Sequence, residues 1–190
     1  MKYSHRFNPK PEWNANPNLN RYFFGLLKML FDLFLLLKDI KNPKMLEIGS
    51  YKGESTFMFA ASGIFKEIHC IDPYKGKEEA KGIFKEDWDE VKKEFILNTR
   101  QFDNITLHKD YSYNIVDKFK DGYFDFIYID ASHDYEDVKK DLELYFPKTK
   151  YLIGGHDYQK EWPGVMKAVN EKFGSVHKEY EDESWLVLIK

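Results

Sequence analysis

The segment Glu47-Ile48-Gly49-Ser50-Tyr51-Lys52-Gly53-Glu54-Ser55-Thr56 constrains this chain more than any other. An apolar run, Met45-Leu46, leads into an acidic residue and a glycine, and a second glycine follows four positions on. Phe57-Met58-Phe59-Ala60-Ala61 then continues as a helical stretch. The pattern reads as strand, tight glycine turn, helix. Glycine lacks a Cβ, so the backbone of such a turn can pass close to a ligand. The helix N-terminus offers N–H groups to an anionic part of that ligand, such as a carboxylate. The spacing matches neither the G-x-G-x-x-G of dinucleotide folds nor the G-x-x-x-x-G-K-[ST] of phosphate loops. Alone it also fits an ordinary strand–turn–helix with two convenient glycines.

The rest of the chain supplies the context. Strand patterns fall at 45–49, 67–72, 104–108, 124–130, 150–154, 175–180 and 184–189, with helical patterns between them at 53–62, 78–100, 112–119, 134–145 and 163–173. Within 78–100, Trp88, Val91, Phe95 and Ile96 recur at helical spacing. Alternating strand and helix predict an α/β fold: a Rossmann-like, seven-stranded, mostly parallel sheet with helices on both faces. Only Glu181-Asp182-Glu183 separates the last two strands, so the sheet should end in an antiparallel hairpin. Residues 43–190 form the expected domain, preceded at 1–42 by an arm and an amphipathic helix. Pro9, Pro11, Pro17 and five asparagines predict an irregular arm over 1–20, and Asn42-Pro43 should stop the helix.

Phe23–Leu37 is too short to span a bilayer, which takes about 20 apolar residues. Lys28 and Asp32 interrupt it on one face, and it makes no convincing signal peptide. Two roles are open for this helix: packing on the domain edge, or a homodimer interface or cover over the site. The net charge of −3 gives no electrostatic case for nucleic acid binding. The single cysteine, Cys70, excludes an internal disulfide and suits a reducing compartment, so a cytoplasmic location is expected.

In open α/β sheets, ligands bind outside the carboxyl ends of the strands. The first end carries Glu47, Gly49 and Gly53. The second carries Asp72, about 20 residues past the turn, where an acid can accept hydrogen bonds from both hydroxyls of a ribose; a helix-capping aspartate would look the same. The third carries Lys109-Asp110-Tyr111-Ser112, and Ser112 either caps the next helix, contacts an adenine edge, or does both. The fourth strand delivers Asp130, with His133 three positions later. The fifth ends in His156-Asp157-Tyr158. Asp130, His156 and Asp157 thus arrive at neighbouring strand ends, and two carboxylates with an imidazole suit a divalent metal. Trp162-Pro163-Gly164 either frames an acceptor pocket or is a plain helix start.

The arrangement E-I-G-x-x-x-G-x-[ST] resembles motif I of the class I S-adenosylmethionine-dependent methyltransferases. From Met45 to the C-terminus, including Ser184-Trp185-Leu186-Val187, the chain is similar to the macrocin- and mycinamicin-type sugar O-methyltransferases and the cephalosporin-biosynthesis methyltransferase. The N-terminal 40 residues lie outside the resemblance. It implies S-adenosylmethionine as cofactor, held by Glu47, Gly49, Ser50, Tyr51, Gly53, Ser55, Thr56, Asp72, Asp110, Ser112 and Asp130. In that group, an aspartate after the fourth strand and an acidic pair after the fifth bind Mg²⁺. By position these are Asp130 and His156-Asp157. Histidine in place of the first acid weakens the Mg²⁺ assignment or points to another metal, such as Mn²⁺. In the related catechol O-methyltransferases, a basic residue three after the metal aspartate takes the acceptor proton, and His133 occupies that offset.

Methyl transfer is an in-line displacement, and a neutral alkyl hydroxyl is a poor nucleophile. A metal can lower its pKa, or a base can take its proton as the bond forms. His133 would serve as that base, or would orient Asp130 or the cofactor. The implied function is O-methylation of a sugar or glycan hydroxyl, with Asp130 and His133 as catalytic residues. Transfer to nitrogen, or to a phenolic or other natural product, is the alternative. A non-catalytic cofactor-binding scaffold is the reading from another class, and it would lose nothing when His133 is changed.

Overall fold

A computed structural model of the chain describes residues 17–75 and 87–189, with side chains from Phe24 onward. Its seven strands are β1 (Lys44–Ile48), β2 (Glu67–Ile71), β3 (Ile105–His108), β4 (Phe124–Ile129), β5 (Thr149–Gly155), β6 (Lys178–Glu179) and β7 (Trp185–Leu188). They form one sheet in the order β3-β2-β1-β4-β5-β7-β6. The pairs among β1 to β5 are parallel, and β7 runs antiparallel to both β5 and β6. This is the expected Rossmann-like sheet with its antiparallel hairpin.

Alternation along the strands sorts the core into two layers. Met45, Phe126, Leu152 and Leu186 face α1 (Pro17–Leu37), α2 (Glu54–Ala61) and α3 (Trp88–Thr99). Their neighbours Leu46, Ile127, Ile153 and Val187 face α4 (Ser112–Ile115), α5 (Tyr135–Tyr145) and α6 (Pro163–Phe173). β4 is buried over its whole length, as a central parallel strand covered on both sides must be. Its one charge, Asp125, is satisfied by the Lys44 N–H (2.8 Å) and Lys150 Nζ (3.1 Å).

Four boundaries depart from expectation. The first helix begins at Pro17, inside the expected arm, because proline is accommodated in the first turn of a helix; residues 1–16 lie outside the described residues. That helix ends at Leu37, as the apolar run Phe23–Leu37 predicts, and the chain turns before reaching Asn42-Pro43. The pattern at 112–119 splits into α4 and a 3₁₀ turn, Val116–Lys118. The strand expected over 175–180 shortens to Lys178–Glu179, both exposed at the sheet edge, where short charged strands resist further pairing. The expected helix over 78–100 is seen as α3 from Trp88, capped by Asp87, and residues 76–86 lie outside the described residues.

Lys28 and Asp32 hold α1 to the hairpin. Lys28 Nζ lies 2.5 Å from Glu181, while Asp32 accepts from Lys178 Nζ (2.5 Å) and the Tyr180 hydroxyl (2.7 Å). Among the described residues, no helix is long and apolar enough to cross a membrane.

Candidate active site

The parallel strands end along one edge, and backbone bonds stitch that edge together: Gly49 N to Ile71 O (2.8 Å), Asp130 N to Ile48 O (2.8 Å) and His156 N to Ile129 O (3.2 Å). Gly49 sits at φ +88°, and a Cβ there would lie 2.0 Å from Asp130 O. The turn after β1 therefore touches the end of β4 at a point where any side chain would push the two apart. Ser50 is buried and its carbonyl accepts from Gly53 N (2.7 Å), closing the turn ahead of α2.

Side chains then lock the turn. Glu47 is fully buried, accepting hydrogen bonds from Ser55 Oγ (2.5 Å) and Thr56 Oγ1 in the first turn of α2. Burial outweighs those bonds and pushes its pKa up to about 7. Asp72 is buried and accepts from Tyr51 N (2.9 Å) with one oxygen and Tyr74 N (2.7 Å) with the other. The Tyr74 hydroxyl donates back to Tyr51 O (3.1 Å). Burial raises the Asp72 pKa against the pull of the two N–H groups. Each carboxylate oxygen keeps further acceptor capacity for a ligand hydroxyl. Tyr51 itself is exposed, with its ring edge-on to Trp88 (centroids 6.5 Å apart).

At the third strand end, Asp110 accepts from Tyr111 N (2.8 Å) and Asn114 Nδ2 (2.7 Å), and these bonds, Asn114 foremost, lower its pKa. Ser112 does not cap α4, whose N-cap position is Tyr111. Its hydroxyl is drawn instead to Asp141 Oδ1 (2.5 Å) on α5. Burial pushes the Asp141 pKa up to about 6, against that bond.

The ends of β4 and β5 gather charge. His133 Nε2 lies 2.7 Å from Asp157 Oδ2, and His156 Nδ1 lies 3.2 Å from Asp157 Oδ1. Burial alone would raise Asp157, but the two imidazoles override it and hold its carboxyl below the usual carboxylate range. The bond to Asp157 raises His133. Burial opposes protonation of His156, yet Asp130 and Asp157 overcome it and lift its pKa to about 9. Asp130 is pushed up to about 6, first by burial and then by Asp157, against the pull of the histidines. Asp157 holds φ +61°, a backbone state uncommon outside glycine, of the kind found where a side chain must be aimed.

Trp162 stacks on His133 with ring centroids 3.9 Å apart and planes at 21°. It also occupies the N-cap position of α6, with Pro163 in the first turn, so Trp162-Pro163-Gly164 is a helix start. A Cβ on Gly164 would lie 2.4 Å from His133 O, so glycine lets α6 start against the His133 loop. Asp130, His156 and Asp157 offer one ligand atom each, all within 4.8 Å of one another. That donor set fits a divalent cation that accepts nitrogen, Mn²⁺ ahead of Mg²⁺.

Two partners escaped sequence reasoning. Asp141 lies in a charged helix where nothing marks it as buried. Asp182, buried at 2% exposure and raising the pKa values of Asp130 and His156, looks from sequence like a solvated turn residue between two glutamates. His69 and His108 pair with each other (2.8 Å) on neighbouring strands β2 and β3.

The glycine turn after β1, the acid after β2 and the charged cluster after β4 and β5 lie at the carboxyl ends of the parallel strands, where open α/β sheets bind ligands. The chain belongs to the methyltransferase-domain family, whose match runs over residues 46–158 and includes every residue of the cluster and the turn. It is 27% identical over 154 residues to an uncharacterized protein of Sinorhizobium fredii, covering 78% of this chain and 15% of that one. An uncharacterized protein of Acanthamoeba polyphaga mimivirus is 32% identical over 156 residues, covering 73% of this chain and 65% of that one. The chain thus spans less than two thirds of the length of either relative. In fold it is similar to a Staphylococcus aureus protein provisionally described as a caffeoyl-CoA O-methyltransferase. The TM-score is 0.58 at 15% identity, with 94% of each chain covered.

Proposed function

We propose that this chain is an S-adenosylmethionine-dependent O-methyltransferase that acts on a ring-borne hydroxyl, most simply that of a sugar. The observation that carries this reading is the His133–Asp157 pair, 2.7 Å apart and backed by Trp162, at the edge where the glycine turn ends. The cofactor supplies, when bound, a methyl carbon on a sulfonium sulfur, and transfer leaves a neutral thioether.

In this reading Gly49, Ser50, Tyr51 and Gly53 form the cradle for the methionine end. Glu47, Ser55 and Thr56 support it from beneath by fixing the start of α2 on β1. Asp72 takes the ribose hydroxyls. Asp110 and Ser112 flank the adenine, and Asp130 faces the transfer point. His133 donates its Nε2–H to Asp157, which leaves the Nδ1 lone pair for the acceptor. As the acceptor oxygen bonds to the methyl carbon, its proton passes to Nδ1, and Asp157 stabilises the imidazolium. Trp162, 39% exposed, keeps a flat apolar surface beside that histidine on which a sugar or aromatic ring can stack. Asp130, His156 and Asp157 would hold a divalent cation, whose Lewis acidity would make the acceptor hydroxyl more acidic.

Methyl-tritiated S-adenosylmethionine, offered with glycosides, sugar nucleotides, catechols and amines, tests the proposal. Label should appear on a glycoside or sugar-nucleotide hydroxyl and fall about 100-fold or more in His133→Asn. Label on an amine would contradict O-methylation, and label on a catechol alone would contradict the sugar.

A further inference from the structure

Helix α1 carries two apolar seams. Leu26, Met29, Leu30, Leu33 and Leu37 are buried against the sheet. Phe24, Leu27, Phe31 and Phe34 point outward, 56%, 41%, 64% and 56% exposed, with Leu35 beside them at 47%. No element of the described chain covers this outer seam, and the site does not use it.

The spacing of the outer seam says what fits it. Phe24, Leu27, Phe31 and Phe34 recur at intervals of three, four and three, the a/d pattern of a helix that packs on another helix. The pattern is also a palindrome: reversed, it superimposes on itself. We infer that α1 is an isologous homodimer interface, packed antiparallel on the α1 of a second copy. A two-fold axis passes on the outer side of the helix midway between Leu27 and Phe31, so that Phe24 meets Phe34 of the second copy and Leu27 meets its Phe31.

Area and charge agree with this occupant. At roughly 200 Å² per large apolar side chain, the five exposed residues offer roughly 500 Å², against the ~800 Å² per partner of a standard stable interface. That is also towards the upper end of the largest patch found on ordinary monomers, about 300–600 Å². A helix that lies on anionic lipid carries an excess of lysine and arginine on its polar face. From Phe24 to Leu37, α1 has one lysine and one aspartate, and both are paired with the hairpin of their own chain: Lys28 with Glu181, and Asp32 with Lys178.

Sedimentation equilibrium up to about 100 μM, a concentration that populates even a weak dimer, measures the assembly directly. Wild type should reach twice the chain mass of 22.7 kDa. Phe31→Glu should stay at the single-chain mass while still unfolding in one cooperative transition. The double variant Phe24→Cys/Phe34→Cys should oxidise to a covalent dimer that neither single variant forms, which tests the antiparallel register in a protein that keeps Leu27 and Phe31 at the centre of the seam. A wild-type chain that remains monomeric throughout overturns the inference. So does cross-linking by either single variant. Flotation of the wild type with phosphatidylcholine–phosphatidylglycerol vesicles, in place of self-association, assigns the seam to lipid and overturns it too.

Discussion

Between β1 and β2 the polar groups of the site close on backbone and hydroxyls. Glu47 meets Ser55 and Thr56, and Asp72 meets two N–H groups. Between β4 and β5 they close on opposite charge, with one aspartate shared by two imidazoles. The first arrangement fixes a shape; the second fixes protonation states. The proposed methyl transfer would need that division of labour, since its donor has to be aligned while its acceptor has to lose a proton. Gly49 is the joint between the two, its backbone pressed on Asp130 O.

The largest expected effect separates the halves. His133→Asn should lower kcat by about 10²- to 10⁴-fold, the usual contribution of a general base. Its affinity for S-adenosylhomocysteine should stay unchanged by calorimetry. A parallel loss of cofactor affinity would break the comparison. Gly49→Ala should damage both halves at once, because the new Cβ meets Asp130 O and the backbone holds φ +88°. We expect a loss of about 3 kcal/mol or more in denaturant unfolding.

Asp72→Ala should leave two N–H groups without their acceptor, costing about 1–3 kcal/mol of stability. It should also weaken cofactor binding while leaving the His133–Asp157 pair intact, which the His133 imidazole proton signals in NMR would report. The smallest effect concerns pH. Glu47 titrates at about 7 in the folded chain against an ordinary value of 4.5. The folded state therefore holds a proton that the unfolded state releases, and stability from this group falls as pH rises from 4.5 to about 7. Asp130 and Asp141, both raised to about 6, act in the same direction. Glu47→Gln should flatten the slope of unfolding free energy against pH in that window by up to about one proton, without abolishing it.

The contrast between the halves also explains what could be read in the sequence. The turn was legible because its constraint is local: two glycines and an acid, placed between an apolar strand and a helix, dictate backbone shape. The aspartate 23 residues after Gly49 was legible because a parallel strand must end near there. The β4 and β5 ends were legible as places, since buried runs such as Phe124–Ile129 announce central strands. The pairings at those ends were not. His133 and Asp157 stand 24 positions apart, and Ser112 and Asp141 stand 29 apart. Such pairs are set by register and helix packing, which leave no local period. Asp182 was hidden for the same reason, since only the fold of the hairpin shows that this acid of Glu181-Asp182-Glu183 is buried. The start of α1 was misjudged because composition at 1–20 resembles a loop, whereas a proline at the first turn is equally a helix start.

Calorimetric titration of S-adenosylhomocysteine into wild type and Asp72→Ala, with and without Mn²⁺, tests the central claim most directly. The account predicts one-site binding by wild type and a large loss of affinity in an Asp72→Ala chain that still melts cooperatively. Absence of binding by the wild type, with or without the metal, would contradict it and leave the turn after β1 as a structural device alone.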